Sequence, residues 1–471
     1  MTDARHRQRH FGDPFIAEAV GDLQEPWMRE ADRLLDDEAL VATVHAALRQ
    51  RRPKSAQRGR TGTPAEVVLR LLVLKHLRNW SYAVLEREVR TNLVYRTFTR
   101  IGGGKVPDAK TMGKWGPVVE PQVVVQLHQR LVAMARDQGV IAGRRLRVDT
   151  TVVETPIHYP TDSSLLGDGV RVLTRTMQKV TAIAGAVGTT LRDRSRSVKR
   201  RLLEIGRIAR TKGAPRQEKL TRAYQQLFVA TSRVVGQAKR FAREIRTGVK
   251  RSPDLLQQLA LEGLRQELDT FVPRIQQVLR QARARILRGD THAEGKLLSI
   301  FEPSTEVIRK GKAGKPNEFG KLVKLQEAEQ QIITHYEVYA HRPSDSDLLL
   351  PALEAHVQVF GQVPRLVTAD AAFYSGPNED AAHAKGVKRV CIPNRSTKSV
   401  ARKREQKKRW FKNGQRWRTG CEGRISVVKR RHGLTRSRYK GDAGMQRWVG
   451  LGVIADNLIN ISRVLATRPR V

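Results

Sequence analysis

The first clear periodicity in the chain is that of a helix. Val67, Leu71 and Leu74 recur at helical spacing, which predicts an amphipathic helix over 64–79. Thr63 precedes this run beside a proline, and we expect it to be the N-cap. The pattern places the start of a helical domain at this threonine.

Two more short helices follow. One begins at Ser81, and the next begins near Asp108, which we expect to cap it. In this third helix Lys110, Lys114 and Trp115 would face outward. Three short helices with exposed basic residues are typical of a helix-turn-helix unit that contacts DNA, and also of plain helical packing. The pattern alone leaves both interpretations open.

Long helical patterns occupy the middle of the chain, from about 163 to 300. One apolar stripe, interrupted by Pro273, includes Leu256, Leu264, Leu268, Ile275, Leu279 and Ile286. The preceding stretch, 191–250, holds 18 Lys and Arg against 4 acids. We expect helices that pack through the stripe and present a cationic face. Of the two interpretations, a solvated hairpin or a surface for the DNA backbone, the one-sided charge favours the second.

Apolar residues alternate with arginines over 145–148, in the pattern of a half-buried strand, and Asp149 follows directly. A carboxylate at the end of a buried strand has lost part of its hydration. It needs a hydrogen bond, a cation or a metal ion. For a single aspartate, capping a turn or a helix is the common explanation, so other parts of the chain must decide.

Strand patterns return after residue 300. Two strands around a polar turn are predicted over 318–340, followed by a helix over 346–361. A short buried strand, 366–368, then leads to Asp370, and a further short strand follows. Strands joined by a crossover helix indicate an α/β sheet, in which ligands gather near the carboxyl ends of strands. This sheet would begin with the Asp149 strand, so the helical block is an insertion within it.

A third acid lies in a strongly basic segment. Glu422 is one of two acids among residues 401–440, which hold 16 Lys and Arg. Arg418 and Lys429 lie at helical spacing from it, so the three would share one face. Alone, this acid is explained by an exposed ion pair. Together with the two aspartates it indicates a site for hard divalent cations, of which two about 3.5–4 Å apart can activate a nucleophile and stabilise the leaving oxygen of a phosphodiester.

Charge indicates the class of partner. The net charge of +42 and pI near 11.1 favour nucleic acid, with an anionic membrane surface as the runner-up. No apolar run approaches the roughly 18 residues of a membrane span, and the N-terminus lacks an apolar signal core. Cys391 and Cys421 are the only cysteines, which is typical of a reducing cytoplasm. We expect a soluble intracellular protein without membrane association.

Three parts of the sequence, which are an N-terminal helical region, two strands and one helix, resemble DDE transposases of bacterial insertion sequences, in particular the ISNCY-type group. Residues 59–98 with "VPDAKTM" resemble their N-terminal helical domain. "LRVDTTVVE" and "TADAAFYS" resemble the strands that carry the first and second aspartate, and "RTGCEGRISVVKRRHGL" resembles the helix that carries the glutamate. Arg418, Glu422 and Lys429 fit the last three members of the pattern Tyr-x2-Arg-x3-Glu-x6-Lys, whereas Gln415 stands at the tyrosine position.

The resemblance implies an RNase H-like (retroviral-integrase-like) α/β catalytic core, interrupted by the long basic α-helical insertion and preceded by an all-α DNA-binding domain. It implies that Asp149, Asp370 and Glu422 bind the catalytic metal ions, Mg²⁺ with Mn²⁺ as a substitute. The enzyme would bind the terminal inverted repeats of its element, cleave a strand and transfer the freed 3′-OH into double-stranded target DNA. We expect a homodimer in the synaptic complex, located in the bacterial cytoplasm at the nucleoid. The expected DNA contacts are Arg418, Lys429, Arg424, Lys110 and Lys114.

These patterns divide the chain into five segments. They are a basic N-terminal segment and connector at 1–62, a helical DNA-binding domain at 63–138, the first part of the core at 139–162, the basic helical insertion at 163–300, and the second part of the core with a C-terminal helix at 301–471.

Other acids have simpler interpretations. We expect Glu154 at the surface, Asp162 and Asp168 in a turn, and Asp345 and Asp347 as helix N-caps. Two rival functions stay open. One is a transposase-derived DNA-binding or regulatory protein without catalysis, and the other is a structure-specific nuclease with the same core.

Overall fold

The computed structural model describes residues 3–6, 11–50, 62–212, 216–309 and 316–468. This part of the chain forms two compact units. One combines the segment up to Pro156 with the segment from Glu306 onward, and the other comprises Ile157–Thr305. The chain therefore leaves the first unit, builds the second as an insertion, and returns.

Helices alone precede the first strand in the described part of the chain. Their bounds are α1 Asp13–Ala19, α2 Pro26–Leu34, α3 Glu38–Gln50, α4 Ala65–Leu77, α5 Tyr82–Thr91, α6 Leu93–Phe98, α7 Ala109–Trp115 and α8 Pro121–Asp137. Local capping signals set two of their starts as predicted. The Ser81 hydroxyl accepts from the Val84 amide at 3.2 Å, and the Asp108 carboxylate accepts from the Thr111 amide at 2.7 Å.

The helix α4 differs from its predicted pattern, because it is buried on every side rather than amphipathic. Neighbouring helices pack against it from several directions, so its polar residues need partners inside the protein. Arg70 is fully buried and pairs with Asp32 at 2.6 Å and with Asp36 at 2.8 Å. The N-cap position is occupied by Pro64, so the prediction of Thr63 as the cap was wrong.

A six-stranded mixed sheet lies at the centre of the first unit. Its strands are β1 Arg145–Glu154, β2 Glu306–Arg309, β3 Asn317–Glu327, β4 Ile333–Val338, β5 Leu366–Thr368 and β6 Arg389–Cys391. The strand β1 pairs antiparallel with β3 and parallel with β5, and β5 pairs parallel with β6. Both β2 and β4 pair antiparallel with β3. The chain thus contributes β1 before the insertion and every other strand after it.

Helices cover both faces of this sheet. The α-helices described after β4 are α13 Leu349–Phe360, α14 Gly376–Ala384, α15 Val400–Lys407, α16 Arg409–Arg431 and α17 Gly441–Ala466, of which α15 packs against α16. Successive side chains of a strand point to opposite faces. Accordingly Val148 packs with Leu349 of α13 on one face, whereas Val153 packs with Val428 of α16 and Trp448 of α17 on the other.

One described helix, α17, is long and apolar enough by length and composition to cross a membrane, a feature that the search for apolar runs did not predict. Most of it is buried inside the protein. It also carries the buried polar residues Asp456 and Asn457, and Asn457 donates to the carbonyl of Ile333 at 2.7 Å. These contacts identify α17 as a core helix of the first unit.

The second unit consists of four helices with their own core. They are α9 Asp162–Ala184, α10 Ser195–Ile208, α11 Arg216–Arg246 and α12 Leu255–Arg288. The predicted stripe of α12 is correct in its middle, where Leu268, Ile275 and Leu279 are buried, but Leu256 in the first turn is 76% exposed. The helix continues through Pro273.

The prediction that Asp162 and Asp168 are turn residues was wrong. Both lie at the start of α9. Asp162 is buried and pairs with Arg285 at 2.6 Å, and Asp168 accepts from His158 at 2.7 Å. Both aspartates therefore serve contacts within the insertion.

Candidate active site

Two aspartates lie at one level of the sheet. In the parallel pairing of β1 with β5, Arg145 is opposite Leu366 and Arg147 is opposite Thr368. Continuing this register by two residues places Asp149 level with Asp370. Residues at one level of neighbouring strands project from the same face, and the strands lie about 4.8 Å apart. The fold therefore brings together two carboxylates that are 221 positions apart in the chain.

The two carboxylates are held in different ways. Asp370 follows the end of β5, and its side chain accepts from the Ala371 amide at 2.7 Å at the start of a 3₁₀ turn. Asp149, predicted at the end of a strand, lies in the middle of β1, which continues along β3 as far as Glu154. Its side chain accepts from the Thr150 amide at 2.7 Å. The parallel part of the sheet ends at this level, so both carboxylates lie beside its edge.

Arg418 connects the third acid with the first. It donates to Glu422 at 2.9 Å, one turn further along α16, and its guanidinium lies 3.9 Å from the Asp149 carboxylate. The side chain of Arg418 is 13% exposed, whereas that of Glu422 is 59% exposed. Burial by itself lowers the pKa of Arg418, but the hydrogen bond to Glu422 and the charges of Glu422, Asp370 and Asp149 together raise it above its ordinary value. One cation thus interacts electrostatically with all three acids.

The donor chemistry of these acids suits a hard divalent cation, because carboxylate oxygens are the ligands that such ions prefer. Within the ranges that the structure describes, no three His, Cys, Asp or Glu side chains lie close enough to hold one ion. The positive charge between the acids is that of Arg418. A cation held by all three acids would have to displace this arginine from Glu422.

A buried network lies on the same face, next to Asp149. Arg147 is 3% exposed, so β1 is buried on both faces rather than half-buried as predicted. Its Nε donates to Glu327 of β3 at 3.2 Å, and its Nη1 donates to the Trp417 carbonyl of α16 at 2.7 Å. The thiol of Cys421 donates to the other oxygen of Glu327 at 3.0 Å. Since Cys421 directly precedes Glu422, the network fixes the helix of the third acid against the strand of the first.

The electrostatics of this network follow from its burial. Burial raises the pKa of Glu327, although the Arg147 guanidinium opposes that shift. Burial also raises the pKa of the Cys421 thiol well above its usual range, and the negative charges of Glu327 and Asp149 add to the effect. Sequence reasoning missed both Arg147 and Glu327. The signal that could have indicated Arg147 is its position between two apolar residues of a strand.

Arg424, predicted as a DNA contact, has a different position. It is 6% exposed and lies 3.5 Å from the buried Asp456 of α17, which also faces His432 at 3.5 Å. A side chain enclosed in this way cannot reach a phosphate without unfolding its surroundings. The prediction for Arg424 is therefore corrected: the residue fastens α16 to α17.

The other predicted DNA contacts lie nearer the surface. Lys429 is partly exposed and lies on the same face of α16 as Arg418 and Glu422. Lys110 and Lys114 are exposed on α7. Trp115, predicted to face outward beside them, is 7% exposed and belongs to the core.

Two further predictions about acids were wrong. Glu154, expected at the surface, is buried and accepts from Arg436 at 2.8 Å. Asp345 accepts from the hydroxyl of Thr150 at 3.0 Å, and the N-cap before it is Ser344. Both acids are fixed by partners within the first unit.

Two family comparisons match separate parts of the chain. The family described as transposase domain (DUF772) matches residues 21–116, which contain α2 to α7, and the family described as transposase DDE domain matches residues 381–462, which contain β6, Arg418 and Glu422. No curated protein and no solved structure matches the chain. A transposase domain in the helical N-terminal region and a transposase DDE domain around the Glu422 helix indicate a metal-dependent DNA transposase enzyme.

Proposed function

We propose that this transposase binds the terminal inverted repeats of a bacterial insertion sequence of the ISNCY-type group. It cleaves a strand at each end of the element and joins the freed 3′-OH to target DNA. Asp149, Asp370 and Glu422 hold the catalytic Mg²⁺ ions, which Mn²⁺ can replace. The observation that carries the proposal is the common level of Asp149 and Asp370 in the parallel register, with Glu422 linked to Asp149 through Arg418.

The strand order supports an RNase H-like core for this reaction. Along the sheet the order is β2, β3, β1, β5 and β6, and β4 also pairs with β3. Pairing is antiparallel on one side of β1 and parallel on the other. Asp149 lies on the central strand of this sheet, and Asp370 follows the end of its parallel neighbour. The helix α16 then brings the third acid from the sheet face.

The side chains of the site have separate tasks in this proposal. The divalent ions, when bound, help to deprotonate the attacking water or 3′-OH and stabilise the leaving oxygen. Asp149 and Asp370 fix the ligand oxygens at the sheet edge, because each is anchored by a backbone amide. Arg418 holds Glu422 until it can exchange that carboxylate for a phosphate of the DNA. Guanidinium groups bind both kinds of anion with parallel hydrogen bonds.

The surrounding charge supports a DNA substrate. Residues 401–440 hold 16 Lys and Arg against two acids. Arg418 and Lys429 would contact DNA near the cleaved end, and Lys110 and Lys114 would contact it from α7 in the N-terminal DNA-binding domain. Since both ends of an element must be brought together, we propose a homodimer in the synaptic complex, acting in the bacterial cytoplasm at the nucleoid.

The test is a cleavage and joining assay. Purified protein is mixed with labelled DNA that carries the ends flanking its own gene, with Mg²⁺ or with EDTA. We expect nicking at the element ends and joined products in Mg²⁺ only. Glu422→Gln should reduce both by about 10³-fold, because metal binding contributes several kcal/mol to such reactions.

The matched control is Glu405→Gln, which removes the other acid of the 401–440 segment. Glu405 pairs with Lys408 and accepts from Trp410, away from the aspartates, so activity should stay near wild type. Asp149→Ala should lose cleavage and keep DNA binding. Tight binding of the ends without cleavage in any metal would contradict the proposal and favour a regulatory protein, and cleavage without joining would favour a nuclease.

A further inference from the structure

An open groove lies between α10 and α11, entirely within the second unit. Its volume is about 620 Å³. Residues from the second half of α10 face residues from the first two turns of α11 across it, as in a helical hairpin. The basic side chains that line it are Arg200, Arg207, Lys219 and Arg222, and Glu204 is the one acid among the lining residues.

These cations are poorly compensated by the protein. Within the described chain, Arg200, Arg207 and Lys219 have no acidic partner within 4.0 Å. Arg222 is 3.9 Å from Glu218, and both of these side chains are about four-fifths exposed. An exposed pair of that kind contributes little. The groove therefore carries a net positive charge that depends on solvent and salt for neutralisation.

Other cations of the same unit lie close to acidic side chains that neutralise them. Arg285 pairs with the buried Asp162 at 2.6 Å, and Lys250 lies 3.7 Å from Glu244. Arg265 pairs with Glu262 in the preceding turn of α12 and with Asp269 in the following turn. Among the described residues, exposed cations without a close acidic partner also occur elsewhere in 191–250, which holds 18 Lys and Arg against 4 acids. The groove differs from them because it gathers four cations on two facing helices.

The spacing of the cations indicates the shape of the ligand. Arg200 and Arg207 are seven residues apart, about 10 Å along the axis of α10, and Lys219 and Arg222 are about 4.5 Å apart along α11. Charges spread along two walls suit a row of anions rather than a single phosphate. Leu203, which is 57% exposed, lies between Arg200 and Arg207 in sequence and also lines the groove.

We propose that this groove binds the sugar-phosphate backbone of double-stranded DNA, without reading sequence, as a contact separate from the acidic site. The inference rests on the proposed function for the identity of the polyanion, because a transposase meets DNA. Phosphate contacts position a protein on a duplex and carry no base information. The groove therefore adds affinity for both element ends and target DNA.

The experiment compares two variants of the full-length protein that lose the same net charge. The groove variant combines Arg200→Gln, Arg207→Gln, Lys219→Gln and Arg222→Gln. The control variant combines Arg175→Gln, Arg251→Gln, Arg288→Gln and Lys296→Gln, which are exposed cations elsewhere in the same unit. Affinity for a labelled duplex is measured by anisotropy between about 50 and 200 mM salt, once with an element end and once with an unrelated sequence.

We expect the groove variant to bind both duplexes about tenfold or more weakly than wild type. Its plot of log affinity against log salt should be shallower by about three to four units, because each phosphate contact contributes about 0.9. A double variant, Arg200→Gln with Arg207→Gln, should show about half of that change. The control variant should change the slope by less than one unit.

Equal slopes in the groove and control variants would overturn the proposal, because the effect would then be one of net charge. A change confined to the element-end duplex would overturn its sequence independence. If the groove variant loses binding to anionic phosphatidylserine vesicles and keeps binding to DNA, the ligand is a membrane surface instead. Cleavage is scored separately. A wild-type protein that never nicks DNA would reject the proposed function, whereas weaker binding and a shallower slope in the groove variant would still support the groove.

Discussion

Charged side chains have acidic or basic partners within the protein around the acidic site, but largely lack them in the groove of the insertion. Around the site, buried charges have partners within the chain: Arg147 faces Glu327, and Arg424 faces Asp456. In the groove, Arg200 and Arg207 have no acidic partner within the described residues. Charges that shape the fold are compensated inside the protein, whereas the charges that we propose for a polyanion are left for that ligand to neutralise.

Arg418 lies between these two cases. It is 13% exposed and is shared by Asp149 and Glu422, so it belongs to the compensated kind in the free protein. Bound cations would take over the acids and release this guanidinium for a phosphate. In the proposed function the site would then depend on metal and DNA together, instead of on the single cation that its three acids share in the free protein.

The largest predicted effect on stability comes from removing one member of a compensated ion pair. Glu327→Gln leaves the buried Arg147 without its counter-charge and should lower the free energy of unfolding by about 3–5 kcal/mol. Chemical denaturation monitored by circular dichroism measures this loss.

Its control removes both charges. The double variant Arg147→Met with Glu327→Leu replaces the pair by apolar side chains and should recover most of the lost stability. If Glu327→Gln is as stable as wild type, the network does not fasten α16 to the sheet. The compensated charges around the site would then not stabilise the fold.

Several parts of the site could be predicted because their signals are local. A short apolar run predicts the strand before Asp370, and the spacing of Arg418 and Glu422 predicts their shared helical face, which their hydrogen bond confirms. Capping by Asp108 is equally local, since donor and acceptor are three residues apart.

The remaining errors have a common cause, which is that the partners are distant in sequence. Glu154 is buried by Arg436, 282 residues away, and Asp162 by Arg285. The helix α4 is apolar on one predicted face, yet it is enclosed on all sides by helices that arrive from elsewhere in the chain. A periodicity reports neighbours within a turn or a strand, and it contains no information on which distant segment covers the other face.

A second prediction tests a buried group that has no charge at neutral pH. Burial lowers the pKa of His128 from 6.5 to about 4, and its ring lies 2.8 Å from the carbonyl of Ile333. Between pH 6.5 and about 4 the unfolded chain therefore binds the proton more readily than the folded protein. The free energy of unfolding should fall by roughly 3 kcal/mol as the pH drops through this window.

The matched variant is His128→Gln, which keeps a side-chain amide donor near the Ile333 carbonyl and does not titrate. Urea unfolding at several pH values should show a flatter dependence for this variant between pH 6.5 and 4. Identical pH profiles would mean that His128 is not protonated on unfolding in this range, and that other groups carry the acid sensitivity of the first unit.

The smallest predicted effect concerns the groove in the absence of DNA. Removing Arg200, Arg207, Lys219 and Arg222 relieves repulsion between like charges, of which, among the described residues, Arg222 alone has an acidic group within 4.0 Å. The four-fold Gln variant should therefore unfold at a midpoint about 1–2 °C higher than wild type, as measured by scanning calorimetry at low salt. High salt should erase the difference, because the screening length shortens to about 3 Å at 1 M.

A lower midpoint would mean that these cations support the fold, as Arg147 and Arg424 do. A higher midpoint with weaker DNA binding would separate the two kinds of charge within one molecule, since the same side chains would stabilise the complex and destabilise the free protein.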